Sequence, residues 1–318
     1  MQTLYAALFT PRPRVAYRRE RWDTPDGDFI DLDWLRDAES GDRPRIPRPG
    51  SVADAAPLVV LFHGLEGCST SHYSQALMAH VAGAGWHGVV VHFRGCSGEL
   101  NRLPRAYHSG DSAEIDWILR RLAHVRHAPV YAVGVSLGGN ALLKWLGEHG
   151  TDAAPFVSAT AAISAPVDLM SAGEALGRGF NLIYTRAFLR TLKRKSLAKL
   201  AHHPNLYDAR LVRNARTLRE FDDVVTAPLH GFRNTDDYWT RASSKPWLAR
   251  IGVRTLILNA RNDPFLPAAA LPASEQVSAA VVLEQPRQGG HVGFVTGPVP
   301  GHLDWLPQRI IRFFGAGR

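Results

Sequence analysis

Short, wholly apolar runs recur along the chain, separated by segments whose apolar residues return every three to four positions. A continuous run of four to eight residues rich in Val, Ile and Leu suits a strand buried on both faces, whereas a repeat near 3.6 suits an amphipathic helix. Residues 58–62 (LVVLF), 88–93, 130–135, 160–164, 253–258 and 281–284 are therefore predicted strands. Residues 29–35 (FIDLDWL) instead alternate apolar and acidic positions, the pattern of a half-buried strand. Helices are expected over about 71–84, over 111–122, over 137–147 and over 306–314. In the second of these, Ile115, Ile118, Leu119 and Leu122 fall on one face. The residues before 29 read as an irregular arm.

Strand and helix alternate until about residue 164 and resume at 253. Alternation of this kind predicts an α/β architecture, a mostly parallel sheet flanked by helices. Between residues 168 and 250 no strand pattern occurs, only basic, helical and loop-like stretches. A structureless loop of that length is unusual in a compact domain. The reading is a single domain, 1–318, with a helical cap inserted at 168–250.

Charge sharpens this picture because it is uneven. The chain carries +8 overall, yet ten Lys or Arg and one acid, Asp208, lie between Arg178 and Arg216. The excess thus belongs to the insert. No helix-turn-helix, zinc-finger or RNA-binding signature accompanies it, so a nucleic-acid partner is not expected. Two cysteines, Cys68 and Cys96, make no disulfide framework and fit a reducing, cytoplasmic setting. The first residues have a brief apolar patch without a preceding basic stretch, unlike a signal peptide, and no apolar run approaches the ~20 residues needed to span a bilayer.

Candidate chemistry sits at the ends of the predicted strands. Residues 134–138 (GVSLG) match G-x-S-x-G between a β-branched run and a helix-forming one. The bare letters also fit a glycine-rich connection with a structural serine. In this context they describe a strained strand-to-helix turn that exposes the Ser136 hydroxyl and puts the Leu137 N–H at a helix start, where it can stabilise an oxyanion. Residues 63–67 (HGLEG) follow the strand at 58–62, and the Leu65 N–H is the expected second oxyanion donor, with His63 bracing the loop. Asp263 lies in a proline-bounded loop after the strand at 253–258, and His291 among glycines after the strand at 281–284. Ser136, Asp263 and His291 thus stand in the chain order of an α/β-hydrolase triad. The histidine would take the serine proton, and the aspartate would fix its tautomer. No H-E-x-x-H or paired C-x-x-C occurs, so neither metal nor other cofactor is expected.

HGLEG at 63–67, FRGCSGE at 93–99, NRLPRAYHSGD at 101–111, GVSLGGN at 134–140, NDPF at 262–265 and GGHVGF at 289–294 together resemble the YheT-like α/β hydrolases. This bacterial branch belongs to a family that includes mammalian membrane-associated lipases, and the resemblance spans about residues 20–315. It implies an α/β-hydrolase fold with a mostly parallel eight-stranded sheet, and a carboxylic-ester hydrolase working through Ser136, Asp263 and His291. Asn262 stands where many members have a second acid. The basic insert falls in the family's most variable part, so substrate choice does not carry over.

Other functions share these residues. A thioesterase or acyltransferase would use the same triad, whereas a dehalogenase or epoxide hydrolase would need Asp at position 136. A peripheral lipid-binding protein is a third reading. Arg186, Arg190, Lys193, Arg194, Lys195 and Lys199 interleave with apolar residues, as in a basic helix resting on anionic lipid; the alternative is a solvated face. A cap in this position commonly walls an acyl pocket. Phe180, Leu182, Ile183, Tyr184, Phe188 and Leu189 are the candidate substrate-binding residues, for a small-molecule or lipid ester.

Overall fold

The computed structural model describes residues 2–36, 55–124 and 128–316. Eight strands are formed: β1 (Tyr17–Asp23), β2 (Phe29–Leu35), β3 (Leu58–Phe62), β4 (His87–His92), β5 (Val130–Val135), β6 (Ala159–Ile163), β7 (Thr255–Leu258) and β8 (Val281–Glu284). They make one sheet in the order β1-β2-β4-β3-β5-β6-β7-β8. The first two pairings, β1 with β2 and β2 with β4, are antiparallel; all others are parallel. The helices in chain order are α1 (Gln2–Leu8), α2 (His72–Gly83), α3 (Ser112–His124), α4 (Leu137–His149), α5 (Leu169–Leu176), α6 (Leu182–Lys199), α7 (Ala209–Asn214), α8 (Leu218–Phe221), α9 (Ala227–Leu229), α10 (Thr235–Ala242) and α11 (Trp305–Gly315).

The continuous apolar runs follow from burial on both faces of the sheet. In β3, Leu58, Val60 and Phe62 pack into one core with Ile115, Ile118 and Leu119 of α3 and Leu142 of α4. The alternate residues Val59 and Leu61 pack into a second core with Leu77 and Met78 of α2 and Ile310 and Phe314 of α11. One strand therefore serves two cores, which leaves no polar alternation to see.

Three elements depart from the expected pattern, the first being α1, a helix within the expected irregular arm. β1 lies where an irregular arm is predicted, because its sequence, YRRERWD, is mostly charged. It is an edge strand, and cross-strand ion pairs hold it. Arg19 faces Asp33 and Arg21 faces Asp31 in register, each with an Nε–Oδ1 distance of 2.8 Å. The same pairs correct the reading of β2. Its acids do not face water: Asp31 and Asp33 are 1 and 4% exposed. Asp33 also accepts from Ser69 Oγ at 2.6 Å and lies 2.8 Å from His92 Nε2, and these partners hold its carboxyl well below the usual carboxylate range against the opposing effect of burial. Arg94 is likewise buried, between Asp26, Asp28 and Glu114.

Helices α5 to α10 all lie between β6 and β7. They build small cores of their own. Leu189, Val212, Phe221 and Val225 form one, and Leu169, Ala227, Tyr238 and Trp239 another. Asp208 accepts from the Arg210 and Leu211 N–H groups to cap α7, and Thr217 with Glu220 makes a capping box on α8. Among the described residues no helix is long and apolar enough to cross a membrane.

Candidate active site

The parallel strands all end on one edge of the sheet, and the loops leaving them bring the chemistry together. Ser136 follows β5 and precedes α4 with φ 52° and ψ −119°. A non-glycine residue occupies that backbone region only where its surroundings enforce it. Here the enforcing geometry is close packing of backbone. A Cβ on Gly134 would lie 2.5 Å from the Gly138 carbonyl oxygen, and one on Gly138 would lie 2.4 Å from the Phe62 carbonyl oxygen. Both positions of the G-x-S-x-G pattern are thus closed to any side chain. The Ser136 N–H donates to the Ile163 carbonyl at 2.8 Å, tying the turn to β6.

A continuous hydrogen-bonded chain runs from that serine. His291 Nε2 is 2.9 Å from Ser136 Oγ, and His291 Nδ1 is 2.9 Å from Asp263 Oδ2. Asp263 Oδ1 also accepts from the Phe265 N–H at 2.8 Å, and the Phe265 ring stacks on the imidazole at 3.9 Å. His291 and Asp263 are buried at 8 and 5% exposure, while Ser136 is half-buried at the cavity.

The histidine loop is held in part by residues that no sequence pattern marks. The His291 N–H donates to Thr3 Oγ1 at 2.9 Å and the Gly289 N–H to Gln2 Oε1 at 2.7 Å, both from α1. The Gly290 N–H donates to Asn262 Oδ1 at 2.9 Å, and the Val292 N–H to Ser164 Oγ at 3.1 Å. Asn262 therefore carries a bracing role beside Asp263.

The loop after β3 lies against the serine turn. A Cβ on Gly64 would come within 3.1 Å of Ser136 Cβ. The Gly64 N–H donates to the Tyr73 hydroxyl and the Glu66 N–H to that of Tyr107, each at 2.9 Å. Between them, the Leu65 N–H has no acceptor among the described residues. The Leu137 N–H, first in α4, has no partner within its helix. His63 is fully buried. Its Nδ1 donates to the Gly64 carbonyl at 2.7 Å and its Nε2 accepts from the Phe93 N–H at 3.2 Å, which fixes the neutral tautomer. Burial pushes its pKa down to about 3.

A cavity of about 1190 Å³, including its open mouth, stands over Ser136. Leu65 and Leu137 line it from the core, and Leu169, Leu176, Phe188, Leu192, Phe221, Val225 and Trp239 from the insert. The six cap residues expected to wall a pocket need correction against this set. Phe188 lines the cavity, whereas Phe180 and Ile183 are exposed at 64 and 46%. Leu182 is half-buried, Tyr184 packs on Phe265, and Leu189 belongs to the insert's own core. The register of α6 accounts for the difference: Phe188 and Leu192 turn to the cavity, and Ile183 does not.

The basic face of α6 also divides. Arg186, Arg190 and Arg194 are exposed. Lys193 donates to the Arg213 carbonyl, Lys195 pairs with Glu66 at 2.8 Å, and Lys199 is buried against Asn101 Oδ1 and the carbonyls of Leu103, Pro104 and Arg105. Burial lowers the Lys199 pKa to about 8. Three of the six cations read as one face are thus bound to protein. Cys68 and Cys96 are free, and burial pushes the Cys96 thiol up to about 12.

Residues 57–298 match the alpha/beta hydrolase fold family. The chain is 38% identical to the candidate esterase YheT of Escherichia coli (strain K12), over 98% of this chain and 88% of that one. It is 32% identical to phospholipase ABHD3 of Mus musculus, over 99% of this chain and 75% of that one. Among solved structures, the esterase Pf2001 of Pyrococcus furiosus superposes with a TM-score of 0.57 at 14% identity, covering 96% of this chain and 98% of that one. That last likeness concerns the fold alone. With the family match, these identities and the eight-stranded sheet together, the chain belongs to the α/β-hydrolase family, in its YheT-like branch.

Proposed function

We propose that the protein hydrolyses carboxylic esters through an acyl-enzyme on Ser136, with His291 as base, Asp263 as its orienting acid, and the Leu65 and Leu137 N–H groups as oxyanion donors. The observation that carries this reading is the unbroken chain Ser136–His291–Asp263 at 2.9 Å per link, opening into an apolar cavity. Ser136 Oγ attacks the acyl carbon as its proton passes to His291 Nε2. The bond to the alcohol oxygen then breaks, and His291 returns that proton to the leaving group. Water repeats the cycle, losing a proton to His291, and the acid departs as Ser136 recovers its hydrogen. Asp263 holds Nδ1–H, so Nε2 faces the serine unprotonated.

The apolar walls support an acyl chain as the recognised part, and the relatives named as esterase and phospholipase support an ester, small or lipid, as the substrate. A fluorophosphonate probe should label Ser136 and block turnover of a 4-nitrophenyl ester series. Labelling at another serine, with Ser136 unmodified, would overturn the assignment. Thioester and acyl-acceptor substrates in the same assay distinguish thioesterase and acyltransferase variants of this chemistry.

A further inference from the structure

The loop that carries Leu65 holds one charged side chain, Glu66, which the reaction above does not use. Glu66 sits in the left-handed backbone region with φ 56°. Its neighbours hold it there from two sides. Its N–H donates to the Tyr107 hydroxyl at 2.9 Å, and that hydroxyl donates back to Glu66 Oε1 at 2.8 Å. Tyr107 is itself buried and stacked on Phe93, with ring centroids 5.4 Å apart. The second hold comes from the insert: Lys195 of α6 donates to the same Oε1 at 2.8 Å and lies 3.5 Å from Cys96 Sγ. The Glu66 side chain is 8% exposed and that of Lys195 26%, so the pair is shielded from bulk screening.

Two consequences reach the reaction centre. Gly64 and Glu66 flank Leu65, and both of their N–H groups are fixed by tyrosine hydroxyls, which leaves the Leu65 N–H set by its neighbours. Moreover, a bare carboxylate one residue from an oxyanion donor would oppose negative charge developing on the substrate, and the Lys195 ammonium cancels that charge. We infer that Glu66 and Lys195 are positioning residues: Lys195 fixes and neutralises Glu66, and Glu66 holds the Leu65 N–H in place, so that docking of α6 is a condition for oxyanion stabilisation. This rests on the esterase reading, with Leu65 as donor.

The test uses the full chain with Lys195→Met, Lys195→Gln and the charge-conserving Lys195→Arg. Turnover of a short, neutral 4-nitrophenyl ester is compared with inhibition by a trifluoromethyl ketone, which forms an oxyanion on the serine. Displacing or opposing one oxyanion donor without deleting it should lower kcat by roughly 10-fold in Lys195→Met, less than the ~100-fold or more of outright loss. KM should stay within about threefold, and affinity for the ketone should fall in parallel with kcat, as expected of an interaction made only in the transition state. Lys195→Arg should recover most of the loss. A Lys195→Met enzyme with kcat within about twofold of the parent would overturn the inference. A rise in KM with unchanged ketone affinity would do so too, since it would make Lys195 a substrate contact. If Lys195→Met fails to fold, Lys195→Gln, which also leaves the Glu66 charge uncancelled, carries the same comparison, with melting temperature as the control. Fluorophosphonate labelling of the parent separates the two readings. Absent label at Ser136 defeats the esterase mechanism, and normal label with unchanged ketone affinity defeats this inference alone.

Discussion

At the residue scale, the strained Ser136 is the centre of the proposed chemistry. Its backbone at φ 52° is stabilised by contacts that neither Gly134 nor Gly138 could make with a side chain, so strain and sequence motif are one observation. Ser136→Ala should abolish fluorophosphonate labelling and nearly all ester hydrolysis. His291→Ala should cost about as much, because members of such a unit act together. Asp263→Asn should cost on the order of 10⁴-fold in kcat, since the amide turns the wrong tautomer toward the serine. Steady-state kinetics on one ester compares all three, and near-parental turnover in Asp263→Asn would require a different orienter. His63 shows how a residue within a motif can be structural: both ring nitrogens are taken by backbone.

At the scale of elements, α1 and α6 do more than their sequences announce. α1 supplies Thr3 and Gln2 to the backbone beneath His291. Thr3→Val removes the acceptor for the His291 N–H while keeping the shape of the side chain. Leaving that buried donor unpaired costs about 1–3 kcal/mol. Part of this should appear as a several-fold fall in kcat with little change in KM, and an unaltered kcat would show that the loop is held by its other three bonds. In α6, only Arg186, Arg190 and Arg194 remain free to meet an anionic surface. Each would contribute on the order of 1 kcal/mol at an anionic membrane. The triple change of these arginines to Glu should weaken sedimentation with anionic liposomes and spare hydrolysis of a short neutral ester. Unchanged sedimentation would mark the arginines as solvated surface. Lys195 is left out of that variant, because its pairing with Glu66 would confuse the two effects.

For the whole molecule, buried histidines set a pH dependence of stability. Burial lowers His63 to about 3 and His72 and His108 to about 4, against about 6.5 in an unfolded chain. Each is neutral when folded, so unfolding takes up protons below pH ~6.5. Their stabilising contribution is complete above that pH and is lost as pH falls toward 3–4. The slope is ~1.4 kcal/mol per pH unit for each proton bound on unfolding. Burial raises the Glu114 carboxyl to about 7 and that of Asp222 to about 6, so both take up protons in the folded state over the same range and offset part of this loss. Urea unfolding at pH 7, 6 and 5 should therefore show a falling free energy, by about 2 kcal/mol in all. The depressed carboxylate of Asp33 acts in the same direction only at more acid pH. His72→Gln should flatten this slope, and an unchanged slope in that variant would mean that His72 is charged in the folded protein.

The sequence by itself determined the strands that serve two cores and which polar residues stand at the strand ends. Both are written locally: a doubly buried strand must be apolar throughout, and a tight turn between strand and helix admits only glycine where backbones touch, as at Gly134 and Gly138. Ser136, Asp263 and His291 were legible because each follows a strand, and parallel strands deliver their ends to one edge. What tertiary structure alone decided is where a side chain's partner comes from another part of the chain. β1 is charged because it pairs with acids on β2. Thr3 stands 288 residues from the His291 N–H that it accepts from. Within α6, hydropathy could not tell Phe188, at the cavity, from Ile183, at the surface, nor Lys195, bound to Glu66, from Arg194, in solvent. A helix's own sequence shows which residues share a face, but the direction of that face is set by what packs against it.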